Sequence, residues 1–199
     1  MSVTVINEFE FDVDLLINEY KEFISTHMYH FSINHPNVLF DEYSKFIAPK
    51  VWMPTAEHPD YIATREFKLI EHYSRVHEVI KNMPYTQEII DRMNLLYEFS
   101  DVIYREVLPG KDYQWHTDNS WAASDYNYHI PLITNVNCNF MYVDKIYPMP
   151  VGKLYKCMTN KLHTFRNDGS DARIHLTFEL MKKNSDRFNG FTKRTFDNN

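Results

Sequence analysis

From Asp101 to Leu180 the chain breaks into roughly eight short runs rich in β-branched and aromatic residues, evenly spaced and separated by turn residues. The runs fall at 102–107, 113–117, 126–134, 139–143, 145–149, 153–157, 161–165 and 173–180, with Pro109-Gly110 and Asn167-Asp168-Gly169 as turn signals. Short strands at this spacing predict a mainly β fold, a double-sheet jelly roll of the cupin type. The last run is the most regular. Arg173, His175, Thr177 and Glu179 fall on one face of R-I-H-L-T-F-E-L, and Ile174, Leu176, Phe178 and Leu180 on the other. If the polar row faces solvent it needs no partner. If it lines a barrel it must meet a ligand or a polar network, because buried charge without a partner is costly.

The first half reads as helical. Residues 12–24 place Leu15, Leu16, Tyr20 and Phe23 at helical spacing behind acidic residues suited to a helix start. A second helix is expected over 66–82, ended by Met83-Pro84. A third enters at Tyr85-Thr86 with Thr86 as N-cap, and carries an apolar stripe of Ile89, Ile90, Met93, Leu96 and Tyr97. Pro36, Pro49, Pro54 and Pro59 mark a loop-rich stretch between the first two. The expected organisation is one domain: a helical portion, 1–100, packing on a β core, 101–181, followed by a partly ordered tail, 182–199.

Composition narrows the function. A net charge of −6 argues against a broad nucleic-acid footprint, although the tail mixes Lys182, Lys183, Arg187, Lys193 and Arg194 with Phe188, Phe191 and Phe196. No apolar run approaches the roughly eighteen residues needed to span a bilayer. Cys138 and Cys157 are too few for a disulfide framework, and the first residues carry no basic segment or apolar stretch of a secretory leader, so the cytoplasm is the expected location.

The chemistry concentrates in W-H-T-D at 115–118 and in two later runs. His116 and Asp118 are spaced i, i+2, so on a strand both point to one side and can share a metal. His163, in the neighbouring run, would complete the two-imidazole, one-carboxylate face by which non-haem oxygenases hold Fe(II). Arg173 offers a planar fork suited to the carboxylate of an anionic co-substrate. An H-x-D tripeptide alone is weak, since His58-Pro59-Asp60 is a second one, with Pro59 better suited to a turn. Three functions fit these residues. One is an oxygenase, another a cupin-like metal-dependent hydrolase or isomerase in which Arg173 is structural, and the third a jelly-roll binding module without metal.

L-P-G-K-D-Y-Q-W-H-T-D (108–118), Y-H-I-P-L (128–132), the turn at Gly152, H-T-F-R-N (163–167) and R-I-H-L (173–176) together resemble the Fe(II)/2-oxoglutarate-dependent dioxygenases, specifically the aspartyl/asparaginyl β-hydroxylase-like family. The resemblance runs from about 102 to 180. It implies a double-stranded β-helix in which His116, Asp118 and His163 hold Fe(II), Arg173 takes the distal carboxylate of 2-oxoglutarate, and His129 contacts that co-substrate, with O2 as oxidant. Where the family often has an arginine two residues before the equivalent of His129, this chain has Asn127, which implies a different contact to 2-oxoglutarate. Asp118 is present, although some members lack the carboxylate, and this favours hydroxylation over halogenation. Trp115, Trp121 and Tyr128 are candidate pocket walls, and 119–125 a candidate substrate-facing lid. The implied substrate is an Asp or Asn side chain in a peptide, or a small amino-acid-like molecule, with no nucleic acid and no membrane involved.

Overall fold

Strand β11 (Arg173–Met181) lies at the centre of the molecule and is covered on both faces. A computed structural model describes residues 2–27, 64–71, 75–76, 78–112, 115–118 and 123–181. Chain order there runs through β1 (Val3–Ile6), α1 (Val13–His27), β2 (Thr64–Glu71), β3 (Arg75–Val76), a 3-10 turn (Glu78–Asn82) and α2 (Pro84–Leu96). It continues with β4 (Phe99–Val107), β5 (Lys111–Asp112), β6 (Ala123–Ile133), β7 (Cys138–Tyr142), β8 (Lys145–Pro148), β9 (Leu154–Met158), β10 (His163–Asn167) and β11. Two antiparallel sheets result, one in the order β1-β9-β6-β11-β4-β2-β3 and one in the order β5-β10-β7-β8. This is the expected jelly roll.

The helices cover the outer face of the larger sheet. Asp12 caps α1, its Oδ1 accepting from the amides of Asp14 (2.9 Å) and Leu15 (3.2 Å). Leu16, Tyr20 and Phe23 from α1 and Ile89, Ile90 and Met93 from α2 pack with Tyr104, Tyr128, Ile130, Leu176 and Phe178 of the sheet. Leu15 and Leu96, placed on apolar stripes by spacing alone, are largely exposed at the edges of those stripes. Thr86 is not the N-cap of α2. Met83 holds that position without a side-chain bond, and Glu19 of α1 instead accepts from the amides of Tyr85 (2.6 Å) and Thr86 (2.7 Å), placing a carboxylate on the helix start.

The expected helix over 66–82 is replaced by β2, β3 and the 3-10 turn. Its residues E-F-K-L alternate with period two, and β2 pairs with β4 in the register Thr64↔Val107 to Phe67↔Tyr104. The amino-terminal β1 also joins the large sheet, pairing with β9 from Val3↔Cys157 to Ile6↔Leu154. The described residues before Asp101 therefore contribute strands to the barrel wall as well as α1 and α2 outside it. Among the described residues no helix is long and apolar enough to cross a membrane. His58-Pro59-Asp60 and the tail 182–199 lie outside the described residues.

A second cluster, Val3, Val107, Phe140, Tyr142, Met149, Tyr155, Cys157 and Phe165, fills the space between the sheets. The polar row of β11 joins it: Arg173, His175 and Thr177 are buried there, while Ile174, Leu176 and Phe178 face the helices. The alternation thus marks a strand with an apolar core on one side and a barrel interior on the other.

Candidate metal centre and anion pocket

An isolated antiparallel bridge sets His116 opposite His163, with the amide of each donating to the carbonyl of the other at 3.0 and 2.9 Å. Of the expected strand 113–117, residues 115–117 form only this bridge, and 113–114 lie outside the described residues. Asp118 is held by its own amide, which donates to the carbonyl of Thr159 (2.8 Å). Backbone bonds therefore fix both parts of the dyad without a continuous strand. The imidazole of His116 and the carboxylate of Asp118 approach to 3.6 Å, and one ligand atom each from His116, Asp118 and His163 lie within 4.8 Å of one another. Three donors this close could hold a single ion.

The chemistry of the donors fits a divalent metal. His163 Nδ1–H donates to the carbonyl of Lys161 (2.8 Å), which fixes the tautomer and presents the Nε2 lone pair as ligand atom. Its ring stacks on Phe140 with centroids 5.2 Å apart, and burial holds its pKa below the ordinary histidine range, so it is neutral and ready to ligate. His116 and Asp118 retain 23% and 27% side-chain exposure, so the triad stands at an open mouth of the barrel. Asn127 donates from Nδ2 to Asp118 Oδ2 at 2.8 Å. Only the amide nitrogen can face a carboxylate, so Asn127 Oδ1 points elsewhere, buried and without a partner among the described residues. Asn127, which the family resemblance marks as a departure, thus orients the Asp118 carboxylate. Asn127→Ala should weaken Fe(II) binding about 10- to 100-fold, the range for losing a residue that supports a metal ligand. A competition titration against a chromophoric chelator would measure it, and unchanged affinity would remove Asn127 from the site.

The registers place the remaining polar residues deeper. Asn127 pairs with Glu179, His129 with Thr177, and Arg173 lies six residues further along β11 from Glu179. Going inward from the mouth, the barrel thus presents Asn127, His129, His175 and Arg173. Arg173 is 3% exposed and donates to His175 Nδ1 (3.1 Å) and toward Met149 Sδ (3.9 Å), with its guanidinium 5.4 Å from the Phe165 ring centroid. Burial pushes its pKa down to about 10, which still leaves it a cation at neutral pH. Among the described residues no carboxylate pairs with it; Glu179 pairs with Arg105 instead. His129 and His175 are both held well below the ordinary histidine pKa, first by burial and then by Arg173, so neither adds charge. Among the described residues Arg173 is thus a buried cation without a carboxylate partner, which is costly unless an anion enters.

Other expected site residues lie elsewhere. Tyr128 is packed in the outer core, 4.5 Å from the ring of Tyr97, so it does not wall the barrel interior. Trp115 is 48% exposed beside the mouth. Trp121 is outside the described residues, as are 119–122 of the expected lid, while 123–125 begin β6. Sequence reasoning placed His175 on the polar face without assigning it a role. The signal available was its spacing of two from Arg173 on a strand of strict alternation.

Two imidazoles and one carboxylate with open positions are the donor set that non-haem Fe(II) oxygenases use. The sequence agrees, for a family model described as aspartyl/asparaginyl β-hydroxylase matches residues 33–183. The chain belongs to that family, and is accordingly a dioxygenase that uses Fe(II), 2-oxoglutarate and O2. Among solved structures it is similar to a prolyl hydroxylase from Trichoplax adhaerens in complex with a hypoxia inducible factor peptide fragment, at 12% identity over 90% of this chain and 83% of that one, with a TM-score of 0.55. It is also similar to a viral collagen prolyl hydroxylase from Paramecium Bursaria Chlorella virus-1 in its 2OG complex, at 12% identity over 91% and 96% of the two chains, with a TM-score of 0.52. At these identities the likeness establishes the fold. No curated protein sequence matches the chain.

Proposed function

We propose that this dioxygenase hydroxylates a C–H bond of an aspartyl or asparaginyl side chain presented in a peptide, with His116, Asp118 and His163 as the Fe(II) ligands and Arg173 as the receptor for the distal carboxylate of 2-oxoglutarate. The observation that carries the cofactor assignment is the buried Arg173 guanidinium, facing the same interior as the triad and lacking a carboxylate among the described residues. Family membership supports the side-chain class. The exposed mouth supports a peptide, since His116 and Asp118 can be reached from solvent. His129 lines the path between the two ends, which is where a co-substrate spanning metal and guanidinium would pass.

Bound at the triad, Fe(II) and 2-oxoglutarate supply the oxidising chemistry: 2-oxoglutarate and O2 become succinate and CO2 as one oxygen atom enters the substrate C–H bond. The protein's own contribution is positional. Lys161 fixes the His163 tautomer and Asn127 aims the Asp118 carboxylate, and Arg173 would hold the distal carboxylate of the co-substrate. The apolar cluster of Phe140, Tyr142, Met149, Tyr155 and Phe165 keeps water from the interior between them. In this reading the core 101–181 is catalytic and the cytoplasm supplies both iron and 2-oxoglutarate; Cys138 and Cys157 are both buried free thiols, as a reducing compartment allows.

The assay combines the protein with Fe(II), 2-oxoglutarate and a peptide library in which single Asp, Asn or Pro residues vary. Succinate release that needs Fe(II), rises with Asp or Asn peptides and accompanies a gain of one oxygen on that side chain is the expected outcome. Oxygen appearing on Pro alone would overturn the substrate class, and succinate release that ignores Fe(II) would overturn the metal assignment.

A further inference from the structure

The link between β9 and β10, residues 159–162, carries both backbone carbonyls that orient metal ligands. Thr159 accepts from the Asp118 amide at 2.8 Å, and Lys161 accepts from His163 Nδ1 at 2.8 Å. Asn160, Lys161 and Leu162 are exposed, so packing does not set the shape of this link, and hydrogen bonds at its ends must do so. One tie runs to β6, where the Thr159 amide donates to the Asp125 carbonyl (2.9 Å). The other runs through a phenol. The hydroxyl of Tyr142, a buried residue of β7, lies 2.9 Å from the Met158 carbonyl and 2.9 Å from the Ser2 carbonyl, and its proton is shared between the two. The Met158 amide donates to the same Ser2 carbonyl at 2.8 Å, which extends the pairing of β1 with β9. Lys161 also reaches Ser2, its ammonium 3.4 Å from Oγ. On its other side Tyr142 is the register partner of His163, with ring centroids 6.2 Å apart. The residue before β1 therefore sits beside the metal centre, and one hydroxyl joins it to the link that aims the ligands.

We propose that Tyr142 is a positioning residue for the metal centre, its hydroxyl clasping Ser2 to Met158 so that the docking of β1 and the binding of the ion form one linked equilibrium. The proposal rests on the assignment of His116, Asp118 and His163 as ligands. When Ser2 and Met158 part, the Thr159 and Lys161 carbonyls lose their fixed spacing. The aim of Asp118 and the tautomer of His163 go with it. Linkage is reciprocal: whatever factor the clasp adds to metal affinity, the metal adds to the stability of the clasp.

Tyr142→Phe removes the hydroxyl and keeps the ring. Tyr155→Phe is the control, since Tyr155 belongs to the same interior cluster and donates to a carbonyl, that of Pro150 (3.1 Å), which has no part in the link. Each full-length protein, stripped of metal, is titrated with Co(II) against a chromophoric chelator. Tyr142→Phe should weaken Co(II) about 10-fold, the lower end of the range for groups that support a metal ligand, because it acts one bond further from the ion. Tyr155→Phe should bind as wild type does. A Tyr142→Phe protein with wild-type affinity, or both variants weakened alike, would overturn the proposal. An Asp118→Ala protein that binds Co(II) as tightly as wild type would overturn the ligand assignment instead. Amide exchange of the wild type gives a second reading, whether or not Tyr142→Phe folds. Saturating Zn(II) should slow exchange of the Met158 amide, which is freed when the Ser2 contact opens, and leave that of the Tyr97 amide, bonded to Met93 at the end of α2, unchanged. A Met158 amide that exchanges at one rate with and without bound Zn(II) ends the proposal.

Discussion

Asp118→Ala should abolish Fe(II)-dependent conversion of 2-oxoglutarate to succinate, with a loss of at least about 100-fold, the upper range for a residue that only supports a metal ligand. Asp118 is the sole carboxylate of the three-residue cluster, and its other oxygen is engaged by Asn127. Removing it leaves two imidazoles, a weaker and neutral donor set, and strands the Asn127 amide beside a cavity. Folding should survive, because the backbone bond from the Asp118 amide to Thr159 does not use the side chain. Metal content measured on the purified variant, together with a circular-dichroism melt, separates loss of iron from loss of fold. An Asp118→Ala protein that keeps turning over 2-oxoglutarate would show that the carboxylate is not a ligand.

The second large effect has opposite signs in the empty and the loaded protein. Arg173→Met removes a buried cation that has no carboxylate partner among the described residues and puts an apolar side chain of similar length against Phe165 and Met149. Replacing an uncompensated buried charge in this way should leave the apo protein as stable as wild type or more so. Co-substrate binding should collapse, since truncating one partner of a buried charge pair costs about 2–5 kcal/mol, roughly a 30- to 5000-fold loss of affinity. The readout is melting temperature with and without 2-oxoglutarate in Mn(II)-loaded protein: wild type rises with ligand and Arg173→Met does not. If instead the apo variant unfolds well below wild type and still gains from ligand, Arg173 is structural and the anion binds elsewhere.

The β core is legible in the sequence because its signals are local, and so is the grouping of His116, Asp118 and His163. Alternation in 173–180 identified β11, and its polar row proved to face the barrel interior. The His116 and Asp118 pair was found by spacing of two, although what holds it is a single bridge to His163 and a bond to Thr159 in place of a full strand. The first half was misread where long-range pairing decides. Residues 66–71 contain enough apolar positions for a helix stripe, and only β4, some three dozen residues later, makes them a strand. The β1 strand pairs across more than 140 residues with β9, a partner that no window on 3–6 can reveal. Thr86 has the right residue type for an N-cap, but the Glu19 carboxylate arriving from α1 serves the helix start from outside. Asn127 was visible as an odd residue, and its purpose became readable only once Asp118 stood beside it.

The most direct test is a crystal of the full chain grown with Mn(II) and 2-oxoglutarate and measured at the manganese absorption edge. The expected result is one anomalous peak bonded to His116, Asp118 and His163, with the co-substrate reaching inward from it to the guanidinium of Arg173. A metal seated on other residues, or a carboxylate that leaves Arg173 without an anion, would contradict the assignment of this barrel as a single metal and 2-oxoglutarate site.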